Sequence, residues 1–452
     1  MKKGMIYEGT VRGLQYGGRS KVLVEGEEVE VKNVLPGQKI RLRVTKNRRS
    51  KKQGKIVEVL ERSPLETEET CKHFGKCGGC YMQSFPYQKQ LEIKERQVID
   101  HFEQENINPG KFLPIIGSPK IFEYRNKMEF TFGDEEKNGP ITLGMHKKGL
   151  HHDIITVDDC RIMDKDFREI LVTVLEYAKE NNLTQYNSMR HEGFLRHLVV
   201  RKGYYTKEIL IHLVSTTQDN HDFNMLGKAL QSLDLEGEIV GFLHSLNDKL
   251  ADVVQTDKMH VVFGSKEYRE TLFDLTFKIS PYSFFQTNTL GAETLYREVV
   301  DFLGEIKGKT VLDLYSGTGT IAQVLAKDAK KVIGIELVEE AVNKAIENSK
   351  INGLTNCTFI AGDVKEKLLE VPVKPDAMVV DPPREGIHDK ALRDILSYQL
   401  NEVVYVSCNP KTLVQNLKVF QEAGYSVMKV RCVDLFPHTS HVETIVLLRK
   451  NV

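Results

Sequence analysis

The sequence predicts a multidomain chain. An N-terminal OB-like β-barrel precedes a central α+β domain with a four-cysteine site, and a C-terminal α/β domain of Rossmann type follows. Three observations predict this. Residues 1–62 hold short alternating β patterns broken by glycine turns. Three cysteines crowd into the stretch from Cys71 to Cys80. From about Thr289, apolar strand patterns alternate with helical ones, and polar residues stand at the strand ends. The expected boundaries are 1–62, 63–280 and 281–452. A helical segment at about 88–115 is available to pack on the third domain.

A chain of 452 residues suits two to four domains and can bury a large core. No apolar run is long enough to span a membrane. Met1-Lys2-Lys3-Gly4 leads into a strand pattern and not into a signal peptide. A cytoplasmic protein is therefore expected, with no membrane contact and no obligate protein partner evident. In that compartment seven cysteines point to metal or catalysis before disulfides.

The first segment reads as Met5-Ile6-Tyr7-Glu8-Gly9, Lys21-Val22-Leu23-Val24, Val29-Glu30-Val31 and Lys39-Ile40-Arg41-Leu42-Arg43-Val44. Short strands at this density predict a small closed barrel. Residues 1–62 carry 16 Lys and Arg against 7 Asp and Glu, while the whole chain is neutral. The run Lys46-Asn47-Arg48-Arg49-Ser50-Lys51-Lys52 reads as an exposed basic loop. A basic barrel on a mildly acidic body suggests a grip for a polyanion, although such a run alone is commonly a solvated surface. The segment resembles a TRAM domain, an RNA-binding barrel.

Cys71-Lys72-His73-Phe74-Gly75-Lys76-Cys77-Gly78-Gly79-Cys80 forms a tight multidentate loop, and Cys160 is a fourth candidate. Four thiolates could hold zinc or an iron–sulfur cluster. His73 is an alternative ligand, but Cys160 completes a soft four-sulfur set that suits iron–sulfur. From Gln88 to Phe102, Leu91, Val98 and Phe102 are spaced for one helical face. Residues 112–280 mix strands and helices. Within them Tyr124-Arg125-Asn126-Lys127 and Arg196-His197 read equally well as phosphate contacts or as plain surface.

The last third is the most regular. Thr310-Val311-Leu312-Asp313-Leu314 is a buried strand, followed by the turn Tyr315-Ser316-Gly317-Thr318-Gly319-Thr320 and a helix. Lys331 to Glu336 is the next strand and ends in an acid suited to ribose hydroxyls. Strands ending at Asp363, Asp381 and Cys408 continue the alternation, giving an open parallel sheet. The turn lacks the third glycine of the dinucleotide fingerprint, which favours S-adenosylmethionine over NAD.

Three polar stations then fall at one sheet edge: Asp381-Pro382-Pro383-Arg384, Ser407-Cys408-Asn409-Pro410 and His441-Val442-Glu443-Thr444. Asp381 and Cys408 end parallel strands. Glu443 opens a strand that the short connection from Asp434 to His441 makes antiparallel, so it starts where the parallel strands end. A thiol matters when the methyl acceptor is a poor nucleophile such as a pyrimidine carbon. Attack on C6 of uracil makes C5 nucleophilic, and a facing carboxylate can then take the C5 proton. A small buried thiol and a surface acid are the plainer readings of the same residues.

Together with Phe284-Phe285-Gln286-Thr287-Asn288, these motifs resemble the RNA uridine-C5 methyltransferase family. The barrel and cysteine loop resemble its branch acting on 23S ribosomal RNA, including the Gram-positive type. The resemblance implies Cys408 as nucleophile and Glu443 as proton acceptor. It implies Gln286, Tyr315, Glu336, Asp363 and Asp381 as S-adenosylmethionine-site residues, and a [4Fe–4S] cluster on Cys71, Cys77, Cys80 and Cys160. A 23S rRNA uracil-C5 methyltransferase making 5-methyluridine is thus expected. The rivals are a tRNA uridine methyltransferase, which in bacteria usually lacks the barrel, an RNA cytosine-C5 enzyme, and a non-catalytic RNA-binding protein.

Overall fold

The computed structural model describes all residues except 50, 151, 251–253, 255–257, 372 and 452. Strands β1 (Ile6–Gln15), β2 (Arg19–Val24), β3 (Glu27–Lys32), β4 (Lys39–Arg48) and β5 (Lys51–Glu61) close into a barrel in the order β1-β2-β3-β5-β4. Val22, Val24, Val29, Val31, Ile40 and Leu42 fill it from alternate positions, as the two-residue pleat demands. The basic run is not a loop. Lys46 to Arg48 extend β4 and Lys51 to Lys52 open β5, so the charges ride on a long hairpin; Ser50 lies outside the described residues.

Helix α1 (Tyr87–Gln104) buries Gln90, Leu91, Lys94, Gln97, Val98 and Phe102 along one face. The helical segment read to about 115 stops earlier. Asn106 and Gly110 adopt left-handed backbone around Pro109, and the chain re-emerges as strand β6 (Lys111–Ile116).

The middle of the chain forms β7 (Lys127–Asp134), β8 (Ile141–His146), β9 (Ile154–Thr156), α2 (Lys165–Glu180), β10 (Leu195–Lys202), β11 (Glu208–Ser215), α3 (Asn224–Gln231), β12 (Glu238–Leu246) and β13 (Lys258–Gly264). Their sheet runs β13-β12-β11-β10-β7-β8-β9. α2 presents Phe167, Ile170, Leu171, Val174 and Leu175 to the same core as Phe130, Leu198 and Ile211 of the sheet. The hairpin β14 (Tyr268–Leu272) and β15 (Leu275–Ile279) packs with the elements that follow it.

Those elements are α4 (Thr289–Leu303), β16 (Thr310–Leu314), α5 (Thr320–Ala326), β17 (Lys331–Glu336), α6 (Glu339–Ile351), β18 (Cys357–Ala361), α7 (Val364–Lys367), β19 (Ala377–Val380), α8 (Asp389–Ser397), β20 (Glu402–Ser407), α9 (Pro410–Glu422), β21 (Tyr425–Val433) and β22 (Glu443–Lys450). The sheet order is β18-β17-β16-β19-β20-β22-β21-β6. The first five strands are parallel, and β22 runs antiparallel between β20 and β21, as its sequence position predicts. β6, from the segment assigned by sequence to the central domain, adds a parallel edge strand beside β21. Two apolar cores sandwich this sheet; Val311 belongs to one, and Leu312 and Leu314 to the other. The chain order reverses between β16 and β19, which opens a crevice at the carboxyl ends of the strands. Among the described residues, no helix is long and apolar enough to cross a membrane.

Candidate active site

The Gly-rich turn after β16 begins with Tyr315 in left-handed backbone (φ 63°), followed by Gly317 (φ 53°) and Gly319 (φ 74°). A Cβ on Gly319 would lie 2.7 Å from Phe359 Cε1 and 2.9 Å from Ala345 Cβ. Only glycine therefore lets α5 pack this closely on its neighbours. Glu336, ending β17, accepts from the Gly317 amide at 2.9 Å and the Val338 amide at 3.0 Å. It holds the turn and retains lone pairs for a ligand hydroxyl. Burial pushes the Tyr315 phenol up to about 12, with the Asp363 and Glu336 carboxylates close enough to add to it. These three residues thus share one end of the crevice. Asp363 is exposed and its carboxylate caps α7, accepting from the Lys365 amide at 3.0 Å.

Gln286 lies on the segment leading into α4. Its carbonyl accepts from Asn126 Nδ2 at 3.1 Å, and the Phe284 carbonyl accepts from Thr318 Oγ1 at 3.4 Å, which ties this segment to the Gly-rich turn. Asp313 is fully buried below the turn. Burial, with Asp381 nearby, raises its carboxyl well above the usual range.

Cys408 follows β20 directly. The last ladder pair is Ser407 with Thr444, so continuing the register sets Cys408 across from Glu443. Asn409 caps α9 by accepting from the Lys411 amide at 3.2 Å, with Pro410 in the first turn. Asn409 Nδ2 and Thr412 Oγ1 donate to the Arg384 carbonyl at 2.9 and 3.1 Å, which joins the Asp381-Pro-Pro-Arg segment to the cysteine turn. Arg384 Nη2 meets His441 Nδ1 at 2.8 Å. Burial first and Asp381 second push Glu443 up to about 8. Burial alone lifts Asp381 to about 7. The Cys408 thiol rises to about 12 through burial and the Glu443 and Asp381 carboxylates, which Arg384 opposes. The thiol, two carboxylates and Arg384 form one electrostatic unit.

Cys71, Cys77, Cys80 and Cys160 line a single pocket, together with His73, Arg125, Met128 and Met145. Burial raises Cys77 to about 11, and raises Cys80 and Cys160 too. Among the described residues, no three of these sulfurs lie within 4.8 Å of one another. His73 turns away to Asp158, its Nε2 3.0 Å from Oδ1. The carboxylates of Asp164, Asp166 and Glu236 also converge, but the Lys202 ammonium sits among them at 2.9, 2.7 and 3.3 Å and supplies the counter-charge.

In the two polar clusters of the middle segment, Tyr124, Asn126, Arg196 and His197 are buried, while Arg125 and Lys127 are half-buried. Tyr124 donates to the Pro437 carbonyl at 3.0 Å, and Asn126 to Gln286 and Thr289. Arg196 donates to the Asn247 and Lys249 carbonyls. Sequence reasoning also missed Tyr16, which reaches the Cys408 turn, and Lys94 and Gln90, which hold the connection between β21 and β22. Helical spacing puts Lys94 on the buried face of α1, but does not reveal its partner.

Residues 86–451 match the profile of the tRNA (Uracil-5-)-methyltransferase family. A Clostridium tetani protein named as an RNA methyltransferase is 50% identical over 100% of this chain and 99% of its own length. One from Caldanaerobacter subterraneus subsp. tengcongensis is 46% identical over 100% of both chains. Among solved structures, the Pyrococcus abyssi tRNA (uracil-54, C5)-methyltransferase in complex with S-adenosyl-L-homocysteine is similar at a TM-score of 0.78. It is 28% identical, with 98% of this chain and 99% of that one covered. With a thiol and a carboxylate facing each other at the cofactor edge of such a sheet, these matches agree with the chemistry that the residues suggest: the chain belongs to the tRNA (uracil-5-)-methyltransferase family and is an RNA methyltransferase that uses S-adenosylmethionine.

Proposed function

We propose that the protein makes 5-methyluridine in 23S ribosomal RNA through a covalent enzyme–RNA adduct. The observation that carries this reading is the facing pair Cys408 and Glu443 beside Asp381. The Cys408 thiolate adds to C6 of the uracil, forming an S–C6 bond and moving the electron pair of the C5–C6 double bond to C5. S-adenosylmethionine, when bound, supplies an electrophilic methyl group for C5. Glu443, in its ionised form, then removes the C5 proton; the C5–C6 double bond re-forms and the S–C6 bond breaks, returning the thiolate. Tyr315, Glu336, Asp363, Asp381 and Gln286 are assigned to the cofactor, with Glu336 suited to the ribose hydroxyls. The uracil must be unpaired or flipped out for both faces to be reached.

We assign Cys71, Cys77, Cys80 and Cys160 to a [4Fe–4S] cluster. The four thiols gathered on one pocket, with no oxygen or imidazole donor needed to complete the set, support it. Protein purified without oxygen should contain iron and acid-labile sulfide, lost in each Cys→Ser variant. Stoichiometric zinc without sulfide would overturn the assignment.

The joint presence of barrel and cysteine loop supports ribosomal RNA as substrate. One observation favours tRNA instead: the P. abyssi enzyme, named for tRNA, matches 98% of this chain, so the barrel does not by itself separate the two substrates. Unmodified 23S rRNA and tRNA transcripts, treated with the protein and S-adenosylmethionine and mapped by mass, decide between them. Methyl groups on tRNA alone would replace the ribosomal reading.

A further inference from the structure

The first hairpin of the barrel reaches the catalytic edge. Between β1 and β2 stands Tyr16, whose hydroxyl donates to the carbonyl oxygen of Cys408 at 2.9 Å. That carbonyl lies between the last ladder pair of β20 and the cap of α9, so neither element claims it. The Tyr16 ring packs on the apolar core of the catalytic sheet and meets the His101 ring edge-on, with centroids 6.0 Å apart. Burial raises the phenol, so it stays a neutral donor with Arg384, Cys408 and Glu443 in its surroundings.

The hairpin is seated and not merely adjacent. Gln97 of α1 donates to the Leu14 carbonyl at 3.0 Å. The Tyr81 hydroxyl, one residue past Cys80, lies 3.0 Å from the Gly18 carbonyl and 2.9 Å from the Val34 carbonyl. Leu14 and Leu35 of the barrel pack with Met82 and Phe85. These contacts leave Tyr16 little freedom, and a constrained donor fixes its acceptor.

We propose that Tyr16 is a positioning residue for methyl transfer: by holding the Cys408 carbonyl it fixes the peptide that aims the thiol, so the barrel completes the catalytic site as well as gripping RNA. The proposal rests on Cys408 being the nucleophile. A nucleophile gains from a near-attack geometry set before the substrate arrives, and one neutral hydrogen bond is enough to bias it.

Tyr16→Phe removes only the hydroxyl and keeps the ring packing. The test measures covalent adduct formation with 5-fluorouridine RNA on denaturing gels, at saturating RNA and S-adenosylmethionine. The adduct rate should fall about fivefold, and kcat on ordinary RNA by the same factor. KM for RNA and for S-adenosylmethionine should stay within about twofold, and the melting temperature should be unchanged. An adduct rate and kcat equal to wild type would overturn the proposal. So would a change confined to KM for RNA, which would make Tyr16 a grip residue. A wild-type protein that forms no adduct would instead sink the nucleophile reading, and this proposal with it.

Discussion

Cys408 and Glu443 are each unfavourable as ions where they stand, which bears directly on the roles proposed for them. A thiol lifted to about 12 holds little thiolate, but the thiolate it does form is strongly nucleophilic. A carboxylate lifted to about 8 is a far better base than one in water. Cys408→Ala should abolish methylation and leave S-adenosylmethionine affinity unchanged by calorimetry; retained turnover within about tenfold would remove covalent catalysis. Glu443→Gln should stall after methyl transfer, because the amide cannot accept the C5 proton. A methylated protein–RNA adduct should then accumulate with ordinary RNA, visible on gels with labelled cofactor. Stability carries the opposite sign. Between its ordinary value of 4.5 and about 8, folded Glu443 keeps a proton that the unfolded chain has lost. Its contribution is complete below the lower value and vanishes as pH rises through the upper one. Above pH 8 the Gln variant should therefore resist urea better than wild type, by up to the order of a few kcal/mol.

At the scale of elements, the connection from β21 to β22 carries His441 to the site and delivers Glu443, and α1 holds it. Lys94 and Asp434 are both fully buried, 2.6 Å apart, and Lys94 also donates to the Phe436 carbonyl at 3.0 Å. Tyr87 donates to the other Asp434 oxygen at 2.9 Å. Gln90 accepts from the His438 amide at 2.9 Å, and the Tyr81 and Met82 amides, just past Cys80, donate to the His438 carbonyl at 2.7 and 3.0 Å. One connection thus takes its shape from a helix and from the cysteine loop. Removing one partner of a buried pair strands the other charge. Lys94→Ala should cost ~3 kcal/mol in urea unfolding and should lower kcat as the connection loosens. A loss of stability below about 1 kcal/mol would show that Asp434 finds other partners.

For the whole molecule, the barrel is a docked part with a charged outer end. Lys46, Arg48, Arg49 and Lys51 are exposed on the β4–β5 hairpin. Deleting the barrel would also uncover Met82 and Phe85, so charge removal is the cleaner probe. Changing these four residues to Gln should weaken RNA binding. It should also lower the slope of log affinity against log salt by up to about 3, since each lost phosphate contact on a single strand is worth ~0.7. S-adenosylmethionine affinity should not change. An unaltered slope would exclude the hairpin from the RNA path.

Much of this was legible in the sequence. The parallel strands were readable because burial on both faces forces continuous apolar runs, and the barrel because alternation with glycine turns has few other solutions. Cys408, Asp381 and Glu443 were readable at one edge because strand direction and chain order constrain which ends meet. The sequence also showed the cysteine loop, where short spacing alone brings three thiols together. Tertiary structure decided what local pattern does not encode. Tyr16 looks like any turn tyrosine until the barrel docks, and it finds the Cys408 carbonyl 392 positions away. Lys94 looks like a solvated helix lysine, yet its face meets Asp434 in a dry interface. Residues 111–116 read as part of one domain and pair with the sheet of another. Periodicity reports which side of an element is buried; only the packed chain decides what it is buried against.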